Sequence, residues 1–496
     1  MKSLTSLAFF LDKYNKGEVK YLMVVCPSPL KYATWEDEVK KWTNLDCMVI
    51  DGDYVEEVLN PKTGKVTRRR GMEVEEDDGT IKRYTGKALR EVQYLQYLNG
   101  VPILIVNYEL FRHDGDKLAE KNKNKVLKKG IMPVLDENWM VVLDEAHRIK
   151  TPTATTTKTL VHHVQGAGYK VLGTGTPLEN KIEELWQLID LCKPGLLGSN
   201  WAFKNRYVEK DFFPVERFNG HPIKERLPEL VTKIEPVQFR KTKADALPDL
   251  PELTVVDHWV DMTKEQEAIY KEIKEGMIED AEGETQYLEV LQQITRFQQV
   301  CDSPSLLNEY LGRDLPEESG KLQELPLILS EIRPKDNKVI VFTQYETMAR
   351  VLVRKLQEWY PQYKTVTVTG KITDDQKRAQ AVRDFQNDEE TRFIVITTAG
   401  NYGLNLQAAT YVIAYDETFN PQKMEQVYSR AHRNGQKNAV TAINLKTRGT
   451  YEERKTKLLA GKRDIFARVI DGKTDEYNEE QVAEHIGSPK DLLALV

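Results

Sequence analysis

Nine short apolar runs, separated by stretches of helical periodicity, set the strongest limit on how this chain can fold. "YLMVVC", "PILIVNY", "WMVVLDEA" and "YKVLGTG" occupy the first half; "KVIVFTQ", "KTVTVTG", "RFIVITTA", "TYVIAYD" and "AVTAINL" occupy the second. Most are continuously apolar over four or five residues, as parallel strands covered on both faces must be. Strand and helix in alternation predict α/β domains, and two such series predict two α/β lobes. The 496 residues are enough for two or three domains, each with its own core.

Composition matters for what it excludes. No uninterrupted apolar stretch approaches the roughly 20 residues of a membrane helix. The N-terminus lacks a basic region followed by an apolar core and a cleavage site. These features predict a cytoplasmic protein without membrane contact, with a nuclear or viral setting left open. Cys26, Cys47, Cys192 and Cys301 are scattered, and only His162 and His163 adjoin, without a third ligand at metal-site spacing. That pattern argues against a disulfide framework and against a structural metal. A net charge of −6 does not suggest a nucleic-acid partner, yet a local basic stripe is all that phosphate contacts need.

The two series bound the organisation. Residues 1–180 are read as the first lobe and 319–470 as the second, with 471–496 a C-terminal tail. Between them, 181–318 lose the strand signal and are read as a helical protrusion and linker, with "KIEELWQLIDL", "TKEQEAIYKEIKEGMIEDAEG" and "QYLEVLQQITRFQQVC" as helices. Within the first lobe, about 51–100 reads as an insertion of charged β-hairpins, since "NPKTGKVTRRR" and "EEDDGTIKRY" put turn residues between extended segments. Its Arg68–Arg70 run is taken as a solvated face.

The stretch richest in chemistry is "WMVVLDEAHRIK". An apolar strand delivers Asp144 and Glu145 to its carboxyl end, where α/β sheets bind ligands. In a phosphate-loop nucleoside triphosphatase the first carboxylate holds Mg²⁺ and the second can orient and deprotonate the attacking water. In "QVYSRAHRNGQ", Arg430 and Arg433 stand three apart, which predicts one helical face. Guanidiniums so placed can neutralise a transferring phosphoryl group. Pro27, Ser28 and Lys31 follow a buried strand on a loop suited to phosphate contacts. Trp35 and Trp42, seven apart on the next helix, are read as core.

"DEAH" resembles motif II of the superfamily-two helicases, and the rest resembles their Swi/Snf-type DNA-dependent ATPase branch. "LGTGTPLENKIEELWQLIDL", "FRKTKADALPDLP", "QQITRFQQVCDSPSLL", "SGKLQEL", "KVIVFTQY", "ITTAGNYGLNLQAA", "YDETFNPQKMEQ" and "QVYSRAHRNGQ" follow the branch's motifs in order. "VVCPSPLKYATWEDEVKKW" and "ILIVNYELFR" resemble its motifs Ia and Ib. The resemblance runs from Lys2 to about residue 470. It implies two RecA-like parallel-sheet lobes that close over ATP and Mg²⁺ while DNA, duplex favoured, crosses both. It gives Asp144, Glu145, Arg430, Arg433 and Gln426 to catalysis, with Gln426 positioning the arginines. Gly403 and Asn405 lie toward the nucleotide. Pro27, Ser28, Lys31, Tyr108, Thr174, Gln344, Thr398 and Gly400 lie toward nucleic acid. Asn401 and Tyr402 stand where the branch usually has small residues.

With those motifs in place, "MKSLTSLAFF" reads as the end of a phosphate loop opening a helix. Lys2 falls on the β- and γ-phosphates and Ser3 on Mg²⁺. Met1 stands where the last glycine of the loop belongs. The chain as it stands is therefore expected to be a poor ATPase, with an upstream segment completing the first lobe. The readings carried forward are a DNA translocase or helicase of Swi/Snf type, an RNA-directed superfamily-two helicase, and a catalytically impaired DNA-binding remnant.

Overall fold

The structure, a computed structural model, describes residues 2–59, 66–75, 79–121, 124–175, 177–178, 181–211, 217–241, 247–281, 287–371, 375–398 and 404–456. Gly400, Gly403, Asn401, Tyr402 and the tail expected at 471–496 lie outside the described residues. The chain divides into two units, Met1–Lys204 and Asn205–Val496.

The first unit is built on β1 (Tyr21–Cys26), β2 (Cys47–Val49), β3 (Ile103–Asn107), β4 (Trp139–Asp144) and β5 (Tyr169–Gly173). They form one wholly parallel sheet in the order β5-β4-β1-β3-β2. The continuous apolar runs serve both faces. Met23, Val25, Leu104, Val106, Val141 and Leu143 enter one core, while Leu22, Val24, Ile103, Ile105, Met140 and Val142 enter the other. The helix Lys2–Asn15 covers that second face with Leu7 and Phe10, both fully buried. Each such side chain contributes about 1.5–3 kcal/mol by leaving water, so the sheet's position under the helix is firmly set. Two antiparallel hairpins, Val55–Leu59 with Val66–Arg70 and Met72–Glu75 with Ile81–Tyr84, lie between β2 and β3 in sequence. Arg69 and Arg70 are exposed there, and Arg70 pairs with Asp53.

The second unit repeats the logic with β6 (Leu253–Val260), β7 (Lys338–Thr343), β8 (Lys364–Val368), β9 (Thr391–Thr397), β10 (Ala409–Ala414) and β11 (Val440–Thr447). This sheet too is wholly parallel, in the order β6-β11-β10-β7-β9-β8. Ile340, Phe342, Ile394, Ile396 and Val412 face one core, and Val339, Val341, Phe393, Val395 and Ile413 the other. The expected fold class, two parallel-sheet α/β lobes with helices between them in sequence, is what the chain adopts. Glu183–Cys192, Lys264–Ala281 and Tyr287–Asp302 are the three expected helices.

Two strands of the parallel sheets escaped the sequence reading, and both lie at a sheet edge; so did two antiparallel hairpins among the described residues, Lys117–Lys121 with Asn124–Lys128 and Val208–Asp211 with Arg217–Pro222. β2 has only three residues. β6 falls inside the stretch 181–318 that had seemed strandless. Edge strands lack the double cover that makes a run continuously apolar; in β6, Val255 and Val256 are 46% and 45% exposed.

Candidate functional site

The carboxyl end of the first sheet gathers the charged residues. β4 is apolar to Leu143 and ends at Asp144, half-buried. Asp144 Oδ2 accepts from Trp35 Nε1 at 3.0 Å, and Oδ1 accepts from the Glu145 N–H at 3.0 Å. The Tyr108 hydroxyl donates to the Asp144 carbonyl at 2.7 Å. Burial, and then the adjacent Glu145 carboxylate, push the Asp144 carboxyl up; Lys2, the Trp35 N–H and the Glu145 N–H oppose that rise.

Glu145 turns the chain. Its φ of +54° is left-handed, a conformation rare for a residue with a side chain and often found at functional sites. The turn sets its carboxylate between two nitrogens: Lys2 Nζ at 3.7 Å and His147 Nδ1 at 3.3 Å. His147 Nδ1 is also 3.1 Å from Thr174 Oγ1, just beyond β5. A Cβ on Gly175 would lie 3.6 Å from Lys2 Nζ, so the ammonium rests against the same loop. Lys2, the adjacent pair Asp144 and Glu145, and Thr174, three segments far apart in sequence, are thus brought together, and Ser3, 8% exposed, stands next to Lys2 in the first turn of its helix. Each Asp144 oxygen accepts one hydrogen bond. A carboxylate offers about four lone-pair sites, so acceptor capacity remains for a hard cation that prefers oxygen, as Mg²⁺ does.

Several residues read as nucleic-acid contacts are committed elsewhere. Lys31 is 5% exposed, and its ammonium donates to the Ile50 carbonyl at 3.0 Å with Asp51 at 3.7 Å. Tyr108 is buried beneath Asp144, and Thr174 is turned to His147. Gln344 Nε2 donates to Asp416 Oδ1 at 2.9 Å and to the Glu417 carbonyl at 2.8 Å. A long polar side chain at a strand end satisfies a buried acceptor when one is in reach, and the sequence does not show where those acceptors are. Pro27 is buried and Ser28 exposed after β1; Thr398 is half-buried after β9. Trp35 is core as read, but Trp42 is 47% exposed under Lys41. The link from Trp35 to Asp144 was missed altogether.

In the second unit the arginines do not share a helical face. The helix is Pro421–Tyr428, capped by Asn420 Oδ1 accepting from the Gln422 N–H at 2.9 Å. It carries half-buried Gln426 and ends before Arg430, which sits half-buried in a turn that continues to exposed Arg433. Tertiary bonds hold the turn in addition to its own short-range ones, the Arg430 N–H on the Val427 carbonyl and the His432 N–H on the Tyr428 carbonyl, each at 3.0 Å. Leu406 N–H donates to the Arg430 carbonyl at 3.0 Å, and Gln436 Nε2 donates to the Gln407, Ala409 and Ala431 carbonyls at 2.9, 3.0 and 3.2 Å. Exposed Asn405 therefore stands one residue from the bond to the arginine turn.

The fold supplies a third group beside the histidine pair, Asp116, with Oδ2 at 3.1 Å from His162 Nε2. His163 has both nitrogens engaged: Nε2 accepts from the Asp116 N–H at 3.0 Å, and Nδ1 faces the Pro133 carbonyl at 3.0 Å. The cluster ties a loop to a helix. It offers no free imidazole lone pair at His163.

Comparison with known proteins bears on all of this. A family profile described as the SNF2-related domain matches residues 1–306, and one described as the helicase conserved C-terminal domain matches residues 320–435. The putative ATP-dependent helicase/translocase YwqA of Bacillus subtilis (strain 168) is 30% identical over 384 residues, 76% of this chain and 39% of that protein. The human DNA excision repair protein ERCC-6-like is 26% identical over 522 residues, 91% of this chain and 37% of that protein. The chain thus spans about two fifths of the length of these curated relatives. A solved structure, the Sulfolobus solfataricus SWI2/SNF2 ATPase core in complex with dsDNA, aligns over 98% of this chain and 90% of that one, with 26% identity and a TM-score of 0.39.

Proposed function

Because the chain belongs to the SNF2-related family, we propose that it is an ATP-hydrolysing motor that moves along duplex DNA. The observation that carries this reading is the strand-end group in the first unit: two adjacent carboxylates, one in a left-handed turn, with an ammonium 3.7 Å from the second. Asp144 holds the divalent cation and Ser3 contributes its hydroxyl there. Lys2 binds the β- and γ-phosphates. Glu145 orients the attacking water and takes its proton, with His147 keeping the carboxylate in position. Arg430 and Arg433 neutralise the transferring phosphoryl group, and Gln426 positions them. A Mg²⁺ ion held by Asp144 and Ser3 would offset the negative charge that develops on the phosphate. Ser28 and Thr398 contact the nucleic-acid backbone, to which backbone N–H and hydroxyl donors are suited.

The test is ATP hydrolysis by wild type and Glu145→Gln, each with duplex DNA, single-stranded DNA and RNA. Duplex DNA is expected to stimulate wild type most. Glu145→Gln is expected to lose turnover while still binding ATP and DNA, because the amide keeps the shape but accepts no proton. Stimulation by RNA alone would replace DNA with RNA as the track. Loss of ATP binding in step with turnover would remove Glu145 from the chemical step.

A further inference from the structure

Residues Lys31–Glu36 form a π-helical turn that leads into the α-helix Asp37–Trp42. Such turns are rare and concentrate at functional sites. This one is pinned beyond β2, where Lys31 Nζ donates to the Ile50 carbonyl at 3.0 Å and the Tyr32 hydroxyl to Asp51 Oδ2 at 2.8 Å. The wider i→i+5 turn also breaks the helical register between the two tryptophans. In a continuous α-helix a spacing of seven would put both on one face. Here Trp35 is 1% exposed and Trp42 is 47% exposed. The turn thus directs one indole inward, and its single donor meets Asp144 Oδ2 at 3.0 Å.

We propose that Trp35 is a positioning residue of the nucleotide site: its N–H fixes the Asp144 carboxylate in the orientation that receives the divalent cation. This rests on the assignment of Asp144 made above. An indole has one donor and no acceptor, so Trp35 cannot bind the cation; it acts only through the carboxylate. With the Glu145 N–H on Oδ1 and the Tyr108 hydroxyl on the Asp144 carbonyl, three donors from three segments define the strand end. The indole is the one of these that comes from another segment and reaches the carboxylate itself. Loss of a partner that orients a metal-binding side chain typically lowers metal affinity about 10–100-fold.

The experiment is a Mg²⁺ titration of the binding of a fluorescent, non-hydrolysable ATP analogue to the full chain, with an EDTA reference and a melting curve. Trp35→Phe keeps an aromatic ring and deletes the donor. It is expected to raise the Mg²⁺ concentration for half-saturation about 10–100-fold, with affinity in EDTA and Tm near wild type, and with kcat restored at high Mg²⁺. Benzothienylalanine at position 35 replaces the N–H by sulfur at nearly the same shape. It is expected to give the same shift if the phenylalanine variant folds poorly. An unchanged Mg²⁺ requirement in the sulfur variant overturns the proposal. So does a fall in EDTA affinity and Tm with the Mg²⁺ requirement unmoved, which would make Trp35 a packing residue only. Asp144→Asn separates the two levels. It must abolish the Mg²⁺-dependent gain, and if it does not, the assignment of Asp144 fails and the role of Trp35 with it.

Discussion

Glu145 shows how much one backbone angle decides. A left-handed conformation costs a residue with a Cβ about 1–2 kcal/mol, and glycine avoids that cost while giving up more chain entropy. Glu145→Ala and Glu145→Gly both delete the carboxylate, so their difference isolates the backbone. The glycine variant is expected to be the more stable by about 1 kcal/mol in urea unfolding; equal stability would mean the turn relaxes in the alanine variant. Arg430 and Arg433 make a second residue-level case. The bond that holds their turn to Leu406 uses the Arg430 carbonyl, so alanine leaves it intact. Each substitution is expected to lower kcat by on the order of 10³-fold with DNA affinity little changed. Collapse of DNA affinity at normal turnover would make them backbone contacts. Lys31 teaches the complementary lesson. Its type and place after a strand suggested a phosphate contact, but burial beside Ile50 and Asp51 had the stronger claim on its ammonium.

Among the elements, the helices Asn200–Tyr207 and Leu227–Ile234 are joined by a charged clamp. Arg206 donates to both oxygens of Glu229 at 2.7 and 2.6 Å, and the Tyr207 hydroxyl adds a bond at 2.8 Å. The Arg206 fork first, then Tyr207 and Lys233, hold the Glu229 carboxyl down at about 2, from an ordinary value of 4.5. A carboxyl lowered by folding adds stability above its unfolded value and loses it as pH falls through the folded one. The stability difference between wild type and Glu229→Gln is therefore expected to shrink as pH falls from 4.5 toward about 2. A constant difference would mean the clamp is not formed in solution. How far elements were legible follows from their surroundings. Seven of the nine apolar runs became inner strands, whose burial on both faces leaves a strong local signal; the other two, β5 and β8, are half-buried edge strands. β2 and β6 left almost none, and the π-helical turn none at all, since its register depends on anchors at Ile50, Asp51 and Asp144. Lys321 of "SGKLQEL" marked the entry to the second lobe, yet nothing local foretold its full burial between Asp302 at 3.0 Å and Glu452 at 2.8 Å.

At the scale of the whole molecule, 71 basic residues are outnumbered by 77 acidic ones, so on the proposed function DNA would be held by local groups against an unfavourable overall field. Affinity for duplex DNA is expected to be indifferent to sequence and to fall linearly in log K against log salt. A strong preference for one sequence at fixed salt would mark a site-specific binder and not a motor. The parallel sheets have a further consequence for synthesis. β1 lies inside its sheet, yet its partners are β3 and β4, and Tyr21 meets Trp139 more than a hundred residues later. At about 5–20 residues per second the ribosome leaves that interval open for on the order of 10 s. In the second unit, Leu253 waits longer still for Val440. Through both intervals the nascent chain carries strands whose ladder and core do not yet exist, so its yield depends on being sheltered during translation as much as on the stability of the finished fold.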